Sequence, residues 1–476
     1  MKKLDKITPQ NQDFAKWYVD VVKNGNLIDY GLVKGTIMFK PNGYGIWENI
    51  QSILDNIFKK NGVSNVYLPM LIPQSQFAKE KNHIQGFNPE LATITKVGNK
   101  PLYEDIYIRP TSEVIFAELF KRDIDKNNEL PLIFNQWTNV IRWEKTTTPF
   151  LRNSEFLWQE GHTVHADPLE ARKLTRKMLF IYEKFFKDYL AIPSIAGKKT
   201  PREKFAGACS TYTIEVMTKN GRALQCATSH YLAQNFSKPY DIKFKNKENQ
   251  FEYVYQTSWG TSTRLIGAII MNHGDDRGIV IPPYVAKNQI DILTIFGNKN
   301  PQVIQKAKQL YNQLSSKFRV RLDDSDKQPG FKSSQSEIEG TPIRIEIGPK
   351  DLENETITVV RRDTLEKSIV NFNEINATFF NKLMEKINKN LYNKAAERLN
   401  KKIVCVNTYN EFKEKIAQGY FVSAPFDGDE IIEEQIQNET GASARCVKIK
   451  QKIHNLKPCI ITGNYTKKRV IFAKSY

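Results

Sequence analysis

Charged and polar side chains recur at a spacing of two in segments that are typical of β-strands. Arg142 and Glu144 have this spacing, as do Glu160 and His162 in segment 156–165. Residues two apart in a strand lie on the same face of a sheet. Arginine is planar, always charged, and binds phosphate oxygens through two N–H groups. The pattern therefore predicts a triphosphate site on a sheet, although any single arginine, such as Arg142, could instead form a surface ion pair.

Two further arginines lie where the chain changes direction. Arg152 and Asn153 fall in the polar loop 145–155, which joins the two strands of a predicted antiparallel hairpin. Arg264 follows the loop SWGTST and begins an apolar helix. The chain has neither a GxxxxGK[ST] loop nor a GxGxxG turn after a strand, which argues against the common phosphate-binding folds.

Composition narrows the class of protein. The chain has 476 residues, 40% hydrophobic and 11% aromatic residues, and a formal net charge of +18. These values predict a globular chain with a polyanionic partner, nucleic acid before membrane, although lysine excess can equally reflect an AT-rich genome. No apolar run approaches the roughly 20 residues of a membrane span, and no secretory signal follows the N-terminal lysines. Five scattered cysteines without a CxxC pair predict a reduced, cytoplasmic compartment.

The order of predicted elements divides the chain into three parts of an α+β protein. Amphipathic helices are predicted at 43–60 and 168–190, and strands at 66–71, 139–144, 156–165 and 211–218. After Pro282-Pro283, strands and helices alternate as in a small α/β unit. The predicted parts are an antiparallel α+β domain at 1–283, an α/β domain at 284–395 and a C-terminal α+β module at 396–476.

Motifs in order along the chain resemble those of the class II aminoacyl-tRNA synthetases. Residues 31–60 are similar to motif 1, 140–162 to motif 2, and 258–283 to motif 3. Within the class, RPTSE (109–113), FLWQEGHTVHA, KFAGACSTYTIEVM, TSHYLAQNFS and EIEGTPIRIEIGPKD together resemble the prolyl-tRNA synthetases of the archaeal/eukaryotic-like type. The resemblance implies an antiparallel class II sheet flanked by helices, an anticodon-binding α/β domain, and a homodimer formed through motif 1.

The resemblance also implies a reaction and an ATP site. ATP and L-proline would form prolyl-adenylate, with Mg²⁺ as cofactor, and the prolyl group would pass to the 3′ end of tRNA(Pro). Arg142 and Arg264 would be the catalytic residues, with Arg142 bridging the proline carboxylate and the α-phosphate. The implied ATP-binding residues are Arg142, Glu144, Arg152, Asn153, Gln225, Thr228, Ser262 and Arg264.

For proline, the resemblance implies that Thr111 and Glu113 receive the secondary ammonium and that Arg142 meets the carboxylate. The residues implied around the ring are Trp158, Glu160, His162, Phe205 and His230. The two histidines could alternatively be satisfied structural side chains. Cys209 departs from the acidic residue that relatives have after FAGA.

The resemblance also implies that two features found in relatives are absent from this chain. The span between Arg142 and Arg264 consists of recognisable segments and leaves no room for a large editing insertion. The pocket alone should therefore reject alanine and cysteine weakly. The C-terminal module reads PFDG at 425–428, where relatives have a zinc-binding cysteine, and retains only Cys459 further on. One cysteine and one aspartate do not make a tetrahedral thiolate site, so no zinc is expected.

The α/β domain would bind the anticodon. The residues implied are Glu337, Arg344, Glu346, Lys350 and Arg361. Arginine and lysine can donate to guanine and glutamate can accept from base amino groups, although a solvated charged strand would look the same. Two alternative functions stay open at this point: a synthetase for threonine or serine, and an RNA-binding relative that has lost catalysis.

Overall fold

The main sheet joins the first and last parts of the chain. The computed structural model describes residues 7–79, 91–449 and 455–476, and eleven strands pair in one sheet. In spatial order they are Ile403–Cys405, Phe421–Pro425, Arg469–Ala473, Ser443–Lys448, Ile195–Lys198, Ser210–Met217, Ala223–Ala233, Tyr255–Ser262, Glu155–His165, Leu132–Ile141 and Ser64–Asn65. Pairing from Ile195–Lys198 to Leu132–Ile141 is antiparallel throughout, which confirms the predicted antiparallel sheet.

The predicted hairpin forms, but its first strand begins and ends earlier in the chain than the sequence suggested. Leu132–Ile141 pairs with Glu155–His165 from Leu132↔Val164 to Ile141↔Glu155. Arg142 and Glu144 therefore lie just beyond the strand end and not within it. The predicted buried strand at 66–71 is also wrong, because the backbone pairs only at Ser64–Asn65 and Leu71–Pro73. Pro69 has no N–H to donate to a ladder and separates the two.

Helices cover the first part of the sheet. Pro41–Lys59 begins with proline in its first turn, where a missing N–H costs nothing, and buries Ile46, Ile50 and Leu54 in the core. Among the residues that the structure describes, the other helices of this part are Phe14–Asn24, Gln74–Phe77, Glu113–Asn127, Pro168–Asp188 and Arg264–His273. Smaller sheets are formed by Ile28–Tyr30 with Ile37–Phe39, by Leu71–Pro73, Lys100–Ile108 and Thr93–Val97, and by Lys243–Lys245 with Phe251–Tyr253.

The second part has a five-stranded mixed sheet, as the alternating pattern predicted. In spatial order its strands are Val320–Asp323, Ile290–Thr294, Ile343–Ile347, Thr356–Arg361 and Lys367–Asn371, of which the first three are parallel. Its helices are Pro301–Ser315, Pro329–Glu339, Pro349–Glu353 and Ala377–Lys402. Helix Ala377–Lys402 runs across the boundary at 395/396 that the sequence suggested.

The C-terminal module continues the main sheet. Val447 and Lys448 pair antiparallel with Lys198 and Gly197, so the module's strands share hydrogen bonds with the first part. Two helices, Tyr409–Ala417 and Glu430–Thr440, pack on the module, and a short hairpin joins Lys457–Pro458 to Tyr465–Thr466. Among the described residues, no helix is both long and apolar enough to cross a membrane.

Candidate active site

Strand register brings separate motifs into rows across the main sheet. His162, Ser258 and His230 face one another on three adjacent strands. In the next row, Glu160 and Thr228 flank Gly260. Gly260 has no side chain between its two neighbours. Because successive residues of a strand alternate faces, these rows lie on the same side of the sheet.

A cavity of about 270 Å³ lies over these rows. Twelve of the predicted site residues line it: Thr111, Glu113, Arg142, Trp158, Glu160, His162, Phe205, Gln225, Thr228, His230, Ser262 and Arg264. Nine further residues that the sequence did not predict line the cavity: Phe156, Glu203, Thr211, Cys226, Ala227, Ser258, Trp259, Gly260 and Thr261. A period of two from Ser262 would have found Gly260 and Ser258, and Glu203 lies only two residues before Phe205.

The structure does not bring the other three predicted ATP residues to this cavity. Glu144 and Arg152 face each other, with 3.9 Å from carboxylate Oε2 to guanidinium Nε. Asn153 donates from Nδ2 to the carbonyl of Gly35 at 3.4 Å and lines a second cavity of about 550 Å³ that also contains Tyr476.

The loop that precedes helix Glu113–Asn127 is held by a buried arginine. Arg109 is fully buried and donates from Nη1 to the carbonyl of Leu68 at 2.7 Å and from Nε to that of Asn139 at 3.0 Å. Thr111 Oγ1 donates to Glu113 Oε2. Glu113 is the first residue of its helix, where the helix dipole favours a negative charge. The arrangement fits a carboxylate held ready for a cationic ligand.

Glu160 and His162 are fixed by neighbours on other elements. Gln136 Nε2 donates to Glu160 Oε1 at 2.6 Å, and His162 Nε2 lies 3.3 Å from Glu160 Oε2. The His162 ring stacks on Phe116 with 4.1 Å between ring centroids. His162 is thus a satisfied histidine that also lines the cavity, so the two alternatives from the sequence are compatible.

His230 is held as a neutral side chain. Its Nδ1 is 2.9 Å from Thr211 Oγ1 and its Nε2 is 3.0 Å from Thr228 Oγ1. Phe205 covers the ring at a centroid distance of 4.8 Å. Burial lowers the pKa of His230 to about 4, although the charge of Glu113 acts in the opposite direction. A neutral imidazole beside an aromatic ring contributes a small, mostly apolar wall.

Two guanidinium groups line the cavity, one from segment 140–162 and one from segment 258–283. Arg142 donates from Nε to the carbonyl of Pro110 at 3.0 Å and lies over the Trp158 ring at 5.6 Å. Arg264 donates to the carbonyls of Leu151 at 3.1 Å and Gln225 at 2.9 Å. Burial lowers the pKa of both arginines, but arginine stays charged at neutral pH. Carbonyls orient both cations, and the pair suits a polyanionic ligand.

Two buried polar atoms beside the cavity have no hydrogen-bond partner in the described structure. They are Trp158 Nε1 and Ser258 Oγ, and both residues line the cavity. An unsatisfied buried polar atom costs roughly 1–3 kcal/mol. A ligand that accepts from these groups would recover part of that cost.

Three of the five predicted anticodon residues lie together. Glu337, Arg344 and Glu346 line a cavity of about 870 Å³ beside helix Pro329–Glu339. Arg344 is only 5% exposed and forms ion pairs with Glu337 at 3.1 Å and Glu346 at 2.9 Å. Lys350 and Arg361 do not line this cavity, and Arg361 is paired with Asp363 at 2.8 Å.

The C-terminal module contains a hydrogen-bonded aspartate at the position expected for a zinc ligand. Asp427 Oδ2 accepts from Thr462 Oγ1 at 2.7 Å and from Asn464 Nδ2 at 3.1 Å. Within the ranges that the structure describes, no cluster of three or more His, Cys, Asp or Glu residues could hold a metal ion.

Comparisons with known proteins identify relatives over the whole chain. The family model "tRNA synthetase class II core domain (G, H, P, S and T)" matches residues 94–273, "Anticodon binding domain" matches 289–382, and "Prolyl-tRNA synthetase, C-terminal" matches 409–476. The chain is 58% identical over 476 residues to the proline--tRNA ligase of Mycoplasma mobile. It is 56% identical over 483 residues to that of Mycoplasmopsis synoviae and 51% identical over 477 residues to that of Mesoplasma florum. All three alignments cover 100% of both chains.

Proposed function

The chain belongs to the class II prolyl-tRNA synthetases, and on that premise we propose how its residues perform the reaction. The activity is that of an aminoacyl-tRNA ligase, which joins L-proline to tRNA(Pro) with conversion of ATP to AMP and diphosphate. The observation that supports it most strongly is identity of up to 58% along the full chain. The cavity over the main sheet is the proposed active site.

Adenylate formation would use the two arginines of the cavity. A carboxylate oxygen of proline attacks the α-phosphorus of ATP, the bond to the β,γ-diphosphate breaks, and diphosphate leaves. Arg142 would contact the proline carboxylate and the α-phosphate, and Arg264 the triphosphate. Both are oriented by backbone carbonyls, so they can stabilise the developing charge without reorganising. Gln225, Thr228 and Ser262 would line the nucleotide side.

Glu144, Arg152 and Asn153 remain proposed ATP residues. Glu144 and Arg152 belong to the loop between the hairpin strands and already interact with each other. We propose that ATP engages them from the outer edge of the cavity, with Glu144 accepting from the adenine amino group. Mg²⁺, when bound, would neutralise triphosphate charge, and this ion commonly binds through substrate phosphates together with one or two carboxylates.

Proline would occupy the part of the cavity opposite Arg264. Glu113 would receive the secondary ammonium, supported by the hydroxyl of Thr111. Trp158, Phe205 and the neutral His230 would surround the ring, and Glu160 and His162 would form the base. Such a pocket discriminates poorly against smaller side chains, by about 1–3 kcal/mol per methylene. We propose that the chain has no editing activity of its own.

The second step transfers the prolyl group to tRNA(Pro), which would bind to two parts of the chain. A hydroxyl of the terminal ribose attacks the prolyl carbonyl, and AMP leaves. The anticodon would bind at the α/β domain, where Glu337, Arg344 and Glu346 share one cavity. Lys350 and Arg361 would contact RNA outside that cavity. The division of the chain at 283/284 and 395/396 stays part of the proposal.

Assembly and subtype are also proposals. Tyr30, Leu32, Val33 and Met38 are exposed apolar residues near motif 1, which favours a homodimer formed there. The motifs from RPTSE (109–113) to EIEGTPIRIEIGPKD favour the archaeal/eukaryotic-like type, in a chain whose relatives include mycoplasmal enzymes. All five cysteines are unpaired, which fits a cytoplasmic enzyme, and the hydrogen-bonded Asp427 fits a module without zinc.

One experiment tests the function against its alternatives. ATP–pyrophosphate exchange is measured with each of the twenty amino acids in turn. Exchange with proline alone supports the proposal, exchange with threonine or serine instead contradicts the substrate, and no exchange at all indicates an RNA-binding protein without catalysis.

A further inference from the structure

Segment 199–205 contributes two residues to the active-site cavity without being part of a helix or strand. It connects strand Ile195–Lys198 to the turn that precedes strand Ser210–Met217. Glu203 and Phe205 line the cavity. Phe205 covers His230, and its N–H donates to Thr211 Oγ1 at 2.9 Å. Something other than secondary structure must therefore hold this segment.

The C-terminal module supplies contacts to the other side of the segment. Thr200 Oγ1 donates to Glu433 Oε1 at 3.0 Å, and Arg202 Nη1 donates to Gln437 Oε1 at 2.7 Å. Glu433 and Gln437 are four residues apart in helix Glu430–Thr440, so they share one face of that helix. Thr200 and Glu433 are both buried, which makes their hydrogen bond costly to lose.

The base of the segment is fixed by a buried ion cluster that also spans the two parts. Lys199 Nζ lies 3.0 Å from Glu215 Oε1, and Arg445 of the module donates to Glu215 Oε2 at 2.9 Å. Strand pairing between Val447 and Lys198 lies directly beside it. The module thus contacts the segment at its base and at two points along it.

We propose that helix Glu430–Thr440 of the C-terminal module positions segment 199–205 at the proline side of the active site. Thr200 and Arg202, with their partners Glu433 and Gln437, are the positioning residues. They act through Glu203 and Phe205, which line the cavity beside His230. The nucleotide side is formed by Gln225, Ser262 and Arg264. Among the described residues, the hydrogen bonds of Arg264 go to Leu151, Gln225 and Ser262 and not to this helix. The inference rests on the proposed function, since it assigns proline to that side of the cavity.

The test separates binding of proline from binding of ATP. Purified full-length Arg202→Met, Gln437→Leu and the double variant are compared in ATP–pyrophosphate exchange. Each single variant is expected to raise KM for proline at least fivefold and to leave KM for ATP within twofold. Arg202 also lies 3.8 Å from Glu203 and 4.0 Å from Glu434. Because Gln437 contacts the segment through Arg202, the double variant should be no worse than Arg202→Met alone. Thr200→Val tests the second contact in the same way.

Tyr409→Phe is the matched control, because it removes the hydrogen bond of Tyr409 to Glu439 at the far end of the same helix. It should leave KM for proline unchanged. If Arg202→Met does not fold, Arg202→Lys, which keeps a donor, and Gln437→Leu provide the comparison. Unchanged proline KM in both the Gln437 and Thr200 variants, or parallel rises in the KM of proline and ATP, would overturn the inference. Absence of proline exchange in the unmodified enzyme would instead contradict the proposed function.

Discussion

Arg445 of the C-terminal module donates from Nε and Nη2 to one carboxylate oxygen of Glu215, at 3.0 and 2.9 Å. Glu215 is fully buried in strand Ser210–Met217, at the centre of the main sheet. Burial alone would raise its pKa, but the charges of Lys199 and Arg445 hold the pKa at about 2. The pair is a buried ionic link between the module and the catalytic sheet.

Removing one member of this pair should destabilise the whole sheet. Arg445→Met leaves the buried Glu215 carboxylate with Lys199 as its only cation, and breaking a buried pair costs about 3–5 kcal/mol. We expect a loss of free energy of unfolding near the lower end of that range, measured by urea denaturation. Lys401→Met is the control, since it breaks an exposed pair with Glu397 worth at most about 1 kcal/mol. Equal effects of the two substitutions would contradict the prediction.

Glu433 should make stability depend on pH in the neutral range. Burial raises its pKa from 4.5 to about 7, and the charge of Glu203 adds to the shift while the hydrogen bond from Thr200 opposes it. A carboxyl whose pKa is higher in the folded state contributes stability that is complete below 4.5 and is lost as pH rises through about 7. Each pKa unit corresponds to about 1.4 kcal/mol.

Glu433→Gln keeps the acceptor for Thr200 and removes the titration. The melting temperature of the unmodified protein should therefore fall relative to the variant between pH 5 and pH 8, as measured by scanning calorimetry in a series of buffers. Parallel curves for the two proteins would show that Glu433 ionises normally. Glu430→Gln, at the exposed start of the same helix, is the control and should follow the unmodified curve.

Local patterns explain why much of the fold could be predicted from the sequence. Apolar spacing along Pro41–Lys59 and Pro168–Asp188, and alternation along Glu155–His165, depend on residues a few positions apart. The polar helix Pro329–Glu339 was missed because its apolar face is narrow: Ile338 is its one buried apolar residue. The end of the hairpin strand at Ile141 was missed because alternation of side chains continues for three more residues.

Site residues that belong to recognisable motifs could be predicted from the sequence. Those that depend on contacts between distant parts of the chain could not. Arg142, Glu160 and Arg264 stand in recognisable segments and line one cavity. Glu160 lies in a strand of the main sheet, Arg142 lies just beyond a strand end, and Arg264 begins a helix. Glu203 comes from a segment without regular structure. The helix that contacts this segment, Glu430–Thr440, lies more than two hundred residues further along the chain. No local period relates Thr200 to Glu433, so only the three-dimensional arrangement reveals their contact.

Adenylate formation should require the planar guanidinium of Arg142 and not merely its positive charge. Arg142→Lys keeps a cation but loses planar two-point donation to a carboxylate or phosphate. We expect kcat for ATP–pyrophosphate exchange to fall about 100-fold, the scale seen when one oriented donor to a developing charge is lost. Arg172→Lys is a matched control, because Arg172 stacks on Tyr231 at 4.1 Å outside the cavity. Exchange by Arg142→Lys within threefold of the unmodified enzyme would exclude the role proposed for Arg142.

Arg344 should matter for tRNA and not for adenylate formation. Its guanidinium is held between Glu337 and Glu346 and lines the cavity in the α/β domain. The two carboxylates orient the guanidinium, which can then donate to a base in the cavity. Arg344→Met is expected to lower the rate of tRNA(Pro) charging at least tenfold and to leave tRNA-independent exchange within twofold. Lys308 lies on helix Pro301–Ser315 and forms an exposed ion pair with Asp324. Lys308→Met therefore controls for loss of a positive charge in the same domain. An equal fall in charging and in exchange would indicate that Arg344 only stabilises the fold, whereas a selective fall in charging supports recognition of the anticodon at this cavity.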